Sequence, residues 1–156
     1  MRWLLLIAAC VVLAVVGATG CSRAPAGPAA DPTKDPKHPC TWFTSEELSK
    51  RLGTPMGEGK AAGPLGTGSQ WTGIDENTVY VQISVVRDVS FWAVPEGPNV
   101  ELLAGVGKAA YLQPSADGWK AAGKLDAAFV HVFVGGKPAT RVVAERLLVD
   151  TLSRVR

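Results

Sequence analysis

Three cysteines and two histidines are the residues of this chain with side chains best suited to nucleophilic or metal chemistry. A cysteine thiol becomes a useful nucleophile when a nearby histidine lowers its pKa. For Cys40 the candidate bases are His38, two residues earlier in a proline-rich segment, and His131, far along the chain. His38 has flexible surroundings, and His131 has no second ligand at metal-binding spacing. We expect no catalytic residues, no metal site, no cofactor and a non-enzymatic protein.

Two glycine-rich segments imitate nucleotide-binding loops without their essential parts. Residues 57–61 lack the Ser or Thr that a P-loop places after its lysine. Residues 105–110 continue into Tyr-Leu-Gln-Pro, which cannot form the helix whose N-terminus holds a pyrophosphate. We therefore expect both segments to be loops.

Cys21 lies at the end of a segment with the order of a secretory signal peptide. Arg2 is followed by an apolar stretch of about 15 residues, 4–18, and by small residues up to Gly20. The small residues before Cys21 resemble the lipobox of bacterial lipoproteins, with Ala18 in the position that usually holds leucine. The resemblance implies cleavage between Gly20 and Cys21, a thioether-linked diacylglycerol on Cys21, and often an additional acyl chain such as palmitate on the new amino group.

Two other interpretations of this N-terminus stay open. An uncleaved transmembrane helix needs roughly 18–20 apolar residues, more than this stretch contains. A soluble secreted product needs a small-residue cleavage site that stands clear of the cysteine. We expect instead a protein held at the cell membrane by lipid on Cys21 and facing the extracytoplasmic side.

The rest of the chain divides into a tether and one domain. Residues 22–39 contain five prolines and no large apolar side chain, so they cannot bury enough surface to fold. With Cys21 they form the expected tether, residues 21–39, and residues 40–156 have the size of a single domain. Removal of residues 1–20 takes away Arg2 and lowers the net formal charge from +2 to +1. A nearly neutral chain argues against a nucleic-acid partner.

The clearest local signal is a helix N-terminus. Thr44 and Glu47 have the spacing of a capping box, in which each side chain accepts a hydrogen bond from the other residue's backbone. The pattern predicts a helix over 45–52. Gly53 is suited to end this helix in a left-handed conformation.

Hydrophobic patterning predicts a sheet and a second helix. The clearest strands are 79–85 and 128–134. The second helix should begin at Pro138 and run to about Arg154. Weaker strand candidates are 69–73, 89–94, 108–112 and 118–124. Because the connections are short, the predicted fold is α+β, an antiparallel β-sheet of about five strands with two helices packed on one face.

His131 shares one face of the predicted strand 128–134 with Phe129 and Phe133, whereas valines occupy the other face. If the valines pack beneath the helices, the face with His131 looks outward or into a groove. We take Trp119, Phe129, His131 and Phe133 as candidate ligand-binding residues. The alternative is that His131 is an ordinary core or surface histidine.

Several short motifs together resemble one family. They are Pro39-Cys40, the capped helix ending in Gly53, a glycine-rich loop leading to Trp71, the run Gly105-Val106-Gly107-Lys108-Ala109-Ala110-Tyr111, a late strand and a C-terminal helix. This combination resembles the small actinobacterial lipoproteins grouped as a domain of unknown function. Their members carry a second cysteine two residues before the tryptophan, where this chain has Ser69. The resemblance implies a fold and an envelope location and assigns no reaction.

Cysteine counting leaves three interpretations of Cys40. Cys10 leaves with the signal peptide and Cys21 is acylated, so Cys40 has no expected intrachain partner. Its thiol is then buried, paired with another molecule, or reactive. A catalytic arrangement would require Cys40 or Ser69 within hydrogen-bond reach of His131.

These observations predict a membrane-anchored lipoprotein of the cell envelope with a binding or accessory role toward a protein, glycan or lipid. The main alternative is a carrier of an apolar small molecule, held in a cavity between the sheet and the helices; an enclosed pocket rimmed by Phe129, Phe133 or Trp92 would favour it. An envelope hydrolase is the second alternative.

Overall fold

The computed structural model describes residues 39–63, 67–75 and 78–155. The signal peptide, Gly20 and Cys21 at the expected cleavage site, and the tether up to His38 lie outside these residues. Seven strands form one antiparallel sheet in the order β1-β2-β3-β7-β6-β5-β4. The strands are β1 (Lys60–Ala62), β2 (Gly68–Thr72), β3 (Tyr80–Val86), β4 (Glu101–Leu102), β5 (Ala109–Ser115), β6 (Gly118–Lys124) and β7 (Phe129–Gly135). The helices are α1 (Ser45–Leu52) and α2 (Arg141–Val155), with short 3-10 helices at Pro39–Thr41 and Val89–Phe91.

The helix α1 has the predicted bounds and the predicted caps. The Thr44 backbone N–H donates to Glu47 at 2.8 Å, and the Glu47 backbone N–H donates to the Thr44 hydroxyl at 3.1 Å. Gly53 has φ 67°, and its N–H donates to the Ser49 carbonyl. This conformation is accessible to glycine at little cost, so a local signal at each end determines the helix.

The sheet has two chemically different faces. The valines of β7 at positions 130, 132 and 134 are fully buried and lie in register with Val85, Ile83 and Val81 of β3. The helix α2 contacts β5, β6 and β7 on this side, which we call the inner face. Residues at the intervening positions lie on the opposite side, the outer face, which the two α-helices leave uncovered.

The helix α2 begins three residues later than predicted. Thr140 caps it, because its hydroxyl accepts from the Val143 N–H at 3.2 Å and its carbonyl accepts from the Ala144 N–H at 3.1 Å. Pro138 therefore lies before the helix and not in its first turn. The apolar stripe is as predicted, with five buried residues and the partly buried Val155 packed against the core: Ala144, Leu147, Leu148, Thr151, Leu152 and Val155.

The two helices are joined on the inner side by charged and aromatic contacts. Arg51 of α1 pairs with Asp150 of α2 at 2.6 Å, and Arg154 pairs with Glu47 at 3.4 Å. The Arg154 guanidinium also lies 4.2 Å from the centre of the Phe43 ring. Although burial alone would raise the pKa of the Glu47 carboxyl, the hydrogen bond from Thr44 and the neighbouring arginines lower it.

The strand predictions were right for the five strands that are not at an edge of the sheet. They were wrong for the two edge strands and for the segment 89–94. The prediction for β6 is confirmed to the residue, and those for β2, β3, β5 and β7 are confirmed with small shifts at the ends. The expectation of about five strands is corrected to seven, because β1 and β4 were missed. The segment 89–94 is not a strand: Asp88 accepts a hydrogen bond from the Ser90 N–H at 3.0 Å and starts a 3-10 helix.

Close contact between α2 and β6 generates a stability prediction. A Cβ atom at Gly123 would lie 2.7 Å from a methyl carbon of Leu152 and 3.3 Å from one of Leu148. Gly123→Val should therefore push α2 away and lower the free energy of unfolding by about 2 kcal/mol, measured by urea denaturation. Lys124→Val, on the outer face of the same strand, is the control and should change it by less than about 0.5 kcal/mol. Equal effects of the two changes would contradict the packing described.

Candidate outer-face binding groove

The outer face carries a groove across three central strands and β5. It has a volume of about 230 Å³. Its side chains come from residues that are far apart in sequence and meet because the strands pair antiparallel. The side chains that line it from this face are Gln82, Ser84, Tyr111, Lys120, His131 and Phe133. We call this site the outer groove.

An aromatic cluster lies beside the outer groove. The ring of Trp92, in the loop between β3 and β4, lies 5.7 Å from the ring of Tyr111 and 5.7 Å from that of Phe129. The Phe129 ring in turn lies 5.2 Å from the imidazole of His131. Through these contacts Trp92 packs its loop against one end of the sheet. Burial raises the pKa of the Tyr111 phenol, so the hydroxyl keeps its proton at neutral pH.

Tyr80 bounds the other end of the outer groove. Its ring stacks on Phe133 at 5.2 Å, and its hydroxyl donates to the Asp117 carboxylate at 2.7 Å. Desolvation and the hydrogen bond to the negative charge of Asp117 raise the pKa of Tyr80 to about 12. Gly135 permits this arrangement, because a Cβ atom there would collide with the Tyr80 ring. The Phe133 ring is therefore held in place from one side.

His131 lies on the outer face, as the alternation predicted. Partial desolvation by its neighbours and the positive charge of Lys120 lower the pKa of His131, so the imidazole is neutral at pH 7. Ser84 is its register partner on β3. No hydrogen bond joins Ser84 to His131 in the part of the chain that the structure describes. The arrangement offers hydrogen-bond donors and one fixed positive charge.

Three of the four candidate ligand-binding residues share one face, and one does not. Phe129, His131 and Phe133 lie together on the outer side of β7. Trp119 pairs with Val134 in the sheet and packs against the inner core, so its assignment to the same site was wrong. Alternation within one strand revealed the first three residues. Trp119 belongs to β6, and the sequence did not reveal which residues of β6 share a face with His131.

Sequence analysis missed four polar or aromatic neighbours of these residues. They are Gln82, Ser84, Tyr111 and Lys120, which come from β3, β5 and β6. The only available signal was alternation within each strand. That signal gives two possible faces per strand and becomes decisive only when the register is known.

Cys40 and Ser69 lie on the opposite side of the sheet from His131. The Ser69 hydroxyl, fully buried on the inner face, donates to the Cys40 sulfur at 3.1 Å. The sheet separates both residues from the outward imidazole, so neither forms the nucleophile–base pair that would favour a hydrolase. Cys40 is disulfide-bonded in the unprocessed chain, which corrects the expectation that it has no intrachain partner. The cleavage and lipidation expected from the sequence would remove Cys10 and occupy the Cys21 sulfur, so such a bond and the proposed lipid exclude each other in the mature protein.

Among residues 39–63, 67–75 and 78–155, no cluster of three His, Cys, Asp or Glu side chains is arranged to hold a metal ion. Within the same ranges, no helix is both long and apolar enough to cross a bilayer. The chain matches no protein-family model, no curated protein and no solved structure.

The environment of His131 predicts a pH dependence of stability. Because its pKa is below the ordinary value of 6.5, the folded protein binds fewer protons here than the unfolded chain as the pH falls below about 6.5. Stability should therefore decrease as the pH falls from about 6.5 toward the lowered pKa, and this effect should be absent above pH 6.5. His131→Gln should show a shallower decrease in urea denaturation series over that range. His38 is present in both proteins, so an unchanged slope would contradict the assignment to His131.

Proposed function

We propose that this chain is a lipid-anchored protein of the cell envelope whose domain binds a protein partner through the outer face of its sheet. The proposal combines an anchor, a tether and a binding face. It assigns no reaction to the domain. The uncovered outer groove with its flanking aromatic cluster is the observation that carries the binding part.

The anchor part rests on the sequence. The lipobox-like residues before Cys21 and the proline-rich segment 22–39 suit a domain held near a membrane by lipid and a tether. The resemblance of the mature-chain motifs to small actinobacterial lipoproteins favours the same location. The net formal charge of the processed chain would be only +1, so lipid and not basic charge is the expected anchor.

The size of the outer groove favours a protein side chain over a complete small ligand. Small-molecule pockets commonly measure roughly 300–1,000 Å³, and the outer groove measures about 230 Å³. It is therefore suited to receive one projecting group of a larger partner. Lys120 is its only fixed charge, and none of its lining residues is acidic. An acidic side chain of the partner would complement it.

Exposed apolar side chains extend the contact beyond the outer groove. Leu102 is the register partner of Tyr111 on the outer face and is 69% exposed. Phe91, next to Trp92, is 74% exposed. Aromatic anchors surrounded by polar groups, with apolar residues at the centre of the contact, are the usual anatomy of a protein interface.

A second candidate function is a carrier of an apolar molecule. The cavity that would favour it was expected to be rimmed by Phe129, Phe133 or Trp92, which instead pack on the outer face. A separate pocket of about 510 Å³ does open at one end of the space between sheet and helix. That pocket is the observation that favours a carrier function.

The anchor is tested by Cys21→Ala in the producing cells. The change removes the sulfur that would carry diacylglycerol, so metabolic labelling by a fatty-acid probe should be lost. The protein should also lose its resistance to extraction from membranes by carbonate at high pH. Ser22→Ala is the matched control and should remain labelled and bound. Unchanged labelling of Cys21→Ala would exclude a lipid on this cysteine.

The binding face is tested by photo-crosslinking in intact cells. A photoreactive phenylalanine analogue at Leu102 or Phe91 should give a discrete crosslinked product that mass spectrometry identifies as a protein. The same analogue at Val149, an exposed apolar position on α2 that is 44% exposed, is the control and should give none. Lys120→Glu should reduce the yield from Leu102, because it would repel an acidic group of the partner.

Other crosslinking patterns would overturn the assignment. A product at Val149 without one at Leu102 or Phe91 would place the interface on the helical side. A heterogeneous product that resists protease and is removed by glycosidases would identify a glycan as the partner in place of a protein.

A further inference from the structure

We infer that a second site, the pocket at the open end of the sheet–helix layer, binds the acyl chain of an amphiphile with an anionic head group. The pocket measures about 510 Å³, within the usual range for small-molecule sites. It lies between the ends of β3 and α2 and the turn that joins β6 to β7. It is distinct from the outer groove, and no lining residue is shared.

The walls of this pocket continue the inner core. Val85 and Ala128 are buried inner-face residues, and Leu125 and Val155 are partly buried hydrophobic residues packed against the core. An apolar chain that entered here would therefore contact hydrophobic side chains that are buried or partly buried. Burial of apolar surface against such walls is the main source of affinity for a hydrocarbon chain.

The glycine run of the sequence builds one wall of the pocket. Gly107 and Lys108 line it, although residues 105–110 lack the features of a nucleotide-binding loop. Gly107 has φ 59°, and a Cβ atom there would lie 2.6 Å from the Lys124 carbonyl oxygen and 3.7 Å from a methyl carbon of Leu152. A larger residue would collide with backbone at the edge of the pocket. The run thus shapes a pocket edge.

Charged side chains at the pocket mouth favour an anionic head group. Arg87 and Lys108 are both exposed, and Lys108 forms an ion pair with Asp126. Arg87 makes no ion pair with any residue that the structure describes. The lining residues that the structure describes therefore carry a net charge of +1, and Arg87 is available for a carboxylate or a phosphate. Arginine is suited to either anion because its planar donors can bind two oxygens.

Apolar walls and a cationic mouth together define the ligand class. A single acyl chain would fill the pocket, and its carboxylate or phosphate would lie near Arg87 and Lys108. A free fatty acid and a lysophospholipid share this chemistry. A neutral alcohol of equal length would gain the apolar contact alone, so its comparison with the acid isolates the contribution of charge.

Calorimetric titration of the processed polypeptide tests whether this pocket binds an acyl chain. Residues 21–156 with Cys21→Ser retain the whole chain expected after processing and lack a covalent lipid that could compete. Octanoate, decanoate and dodecanoate, each below its micelle concentration, should bind with one-to-one stoichiometry. Each additional buried CH₂ should tighten binding by about fourfold until the pocket is full. The affinities for dodecanoate and for a lysophosphatidic acid with the same acyl chain are then compared. The tighter of the two shows whether the ligand is a free fatty acid or a lysophospholipid.

Matched variants locate the site. Ala127→Trp, at an exposed position of the pocket mouth, should weaken dodecanoate binding at least tenfold. Ala116→Trp, in the exposed turn at the other end of the sheet, is the control and should leave it unchanged. Thermal unfolding of both variants checks that they fold. If Ala127→Trp fails to fold, displacement of dodecanoate by a diazirine-bearing analogue, with crosslinks mapped to residues 125–128 and 155, tests the same site.

Charge variants test the head-group assignment. Arg87→Gln should weaken dodecanoate binding two- to fivefold and leave dodecanol binding unchanged. Asp126→Asn releases Lys108 from its ion pair and should tighten dodecanoate binding by a similar factor.

The inference is overturned if binding is not saturable, if affinity does not depend on chain length, or if Ala127→Trp and Ala116→Trp bind equally. Equal responses of dodecanoate and dodecanol to Arg87→Gln would overturn the anionic head group. A functioning crosslink at Leu102 with no acyl binding would leave the protein-binding face intact and reject this second site alone.

Discussion

The close contact of α2 with β5 and β6 is the constraint on which the rest of the domain depends. The helix can approach because Ala110, Ala121 and Gly123 place little or no side chain beneath it. Leu148 and Leu152 occupy that space and pack near the valines of β7. Dispersion and apolar burial both fall steeply when such layers separate. These small residues therefore allow α2 to pack closely on the inner face.

Once α2 and α1 occupy the inner face, the outer face must be stabilised by other means. Part of it is protected by the loop that carries Trp92, whose ring packs with Tyr111 and Phe129. Another part is ordered by the stacking of Tyr80 on Phe133. The space left between these two aromatic groups is the outer groove. The proposed binding site and the packing of the outer face thus share the same aromatic side chains.

Elements were predicted accurately from the sequence where the signal came from residues that are neighbours in the chain. The capping box at Thr44 and the glycine at its far end involve neighbours in the chain, so α1 was predicted to the residue. Strand β6 was bounded by turns and was also correct. The edge strands β1 and β4 have three and two residues, too few for a period of two to be recognised.

The candidate site was only partly predictable for a related reason. Alternation placed Phe129, His131 and Phe133 on one side of one strand, because that pattern is local. The wrong placement of Trp119 and the omission of Lys120 arose from the pairing of β6 with β7, which alternation does not encode. The segment 89–94 contains residues with strand propensity, yet a hydrogen bond to Asp88 turns the chain first.

The edge strands β1 and β4 are short, which would matter for a domain held at a membrane as proposed. A lipid anchor of the kind proposed would confine many copies to one plane and give them a common orientation, so sheet edges would meet frequently. Long edges present rows of unpaired N–H and C=O groups that promote strand pairing between molecules. Here each outermost strand offers two or three residues, and β4 is further held to α2 by an ion pair between Glu101 and Arg141. Short edges would let the protein reach a high surface density without edge-to-edge aggregation.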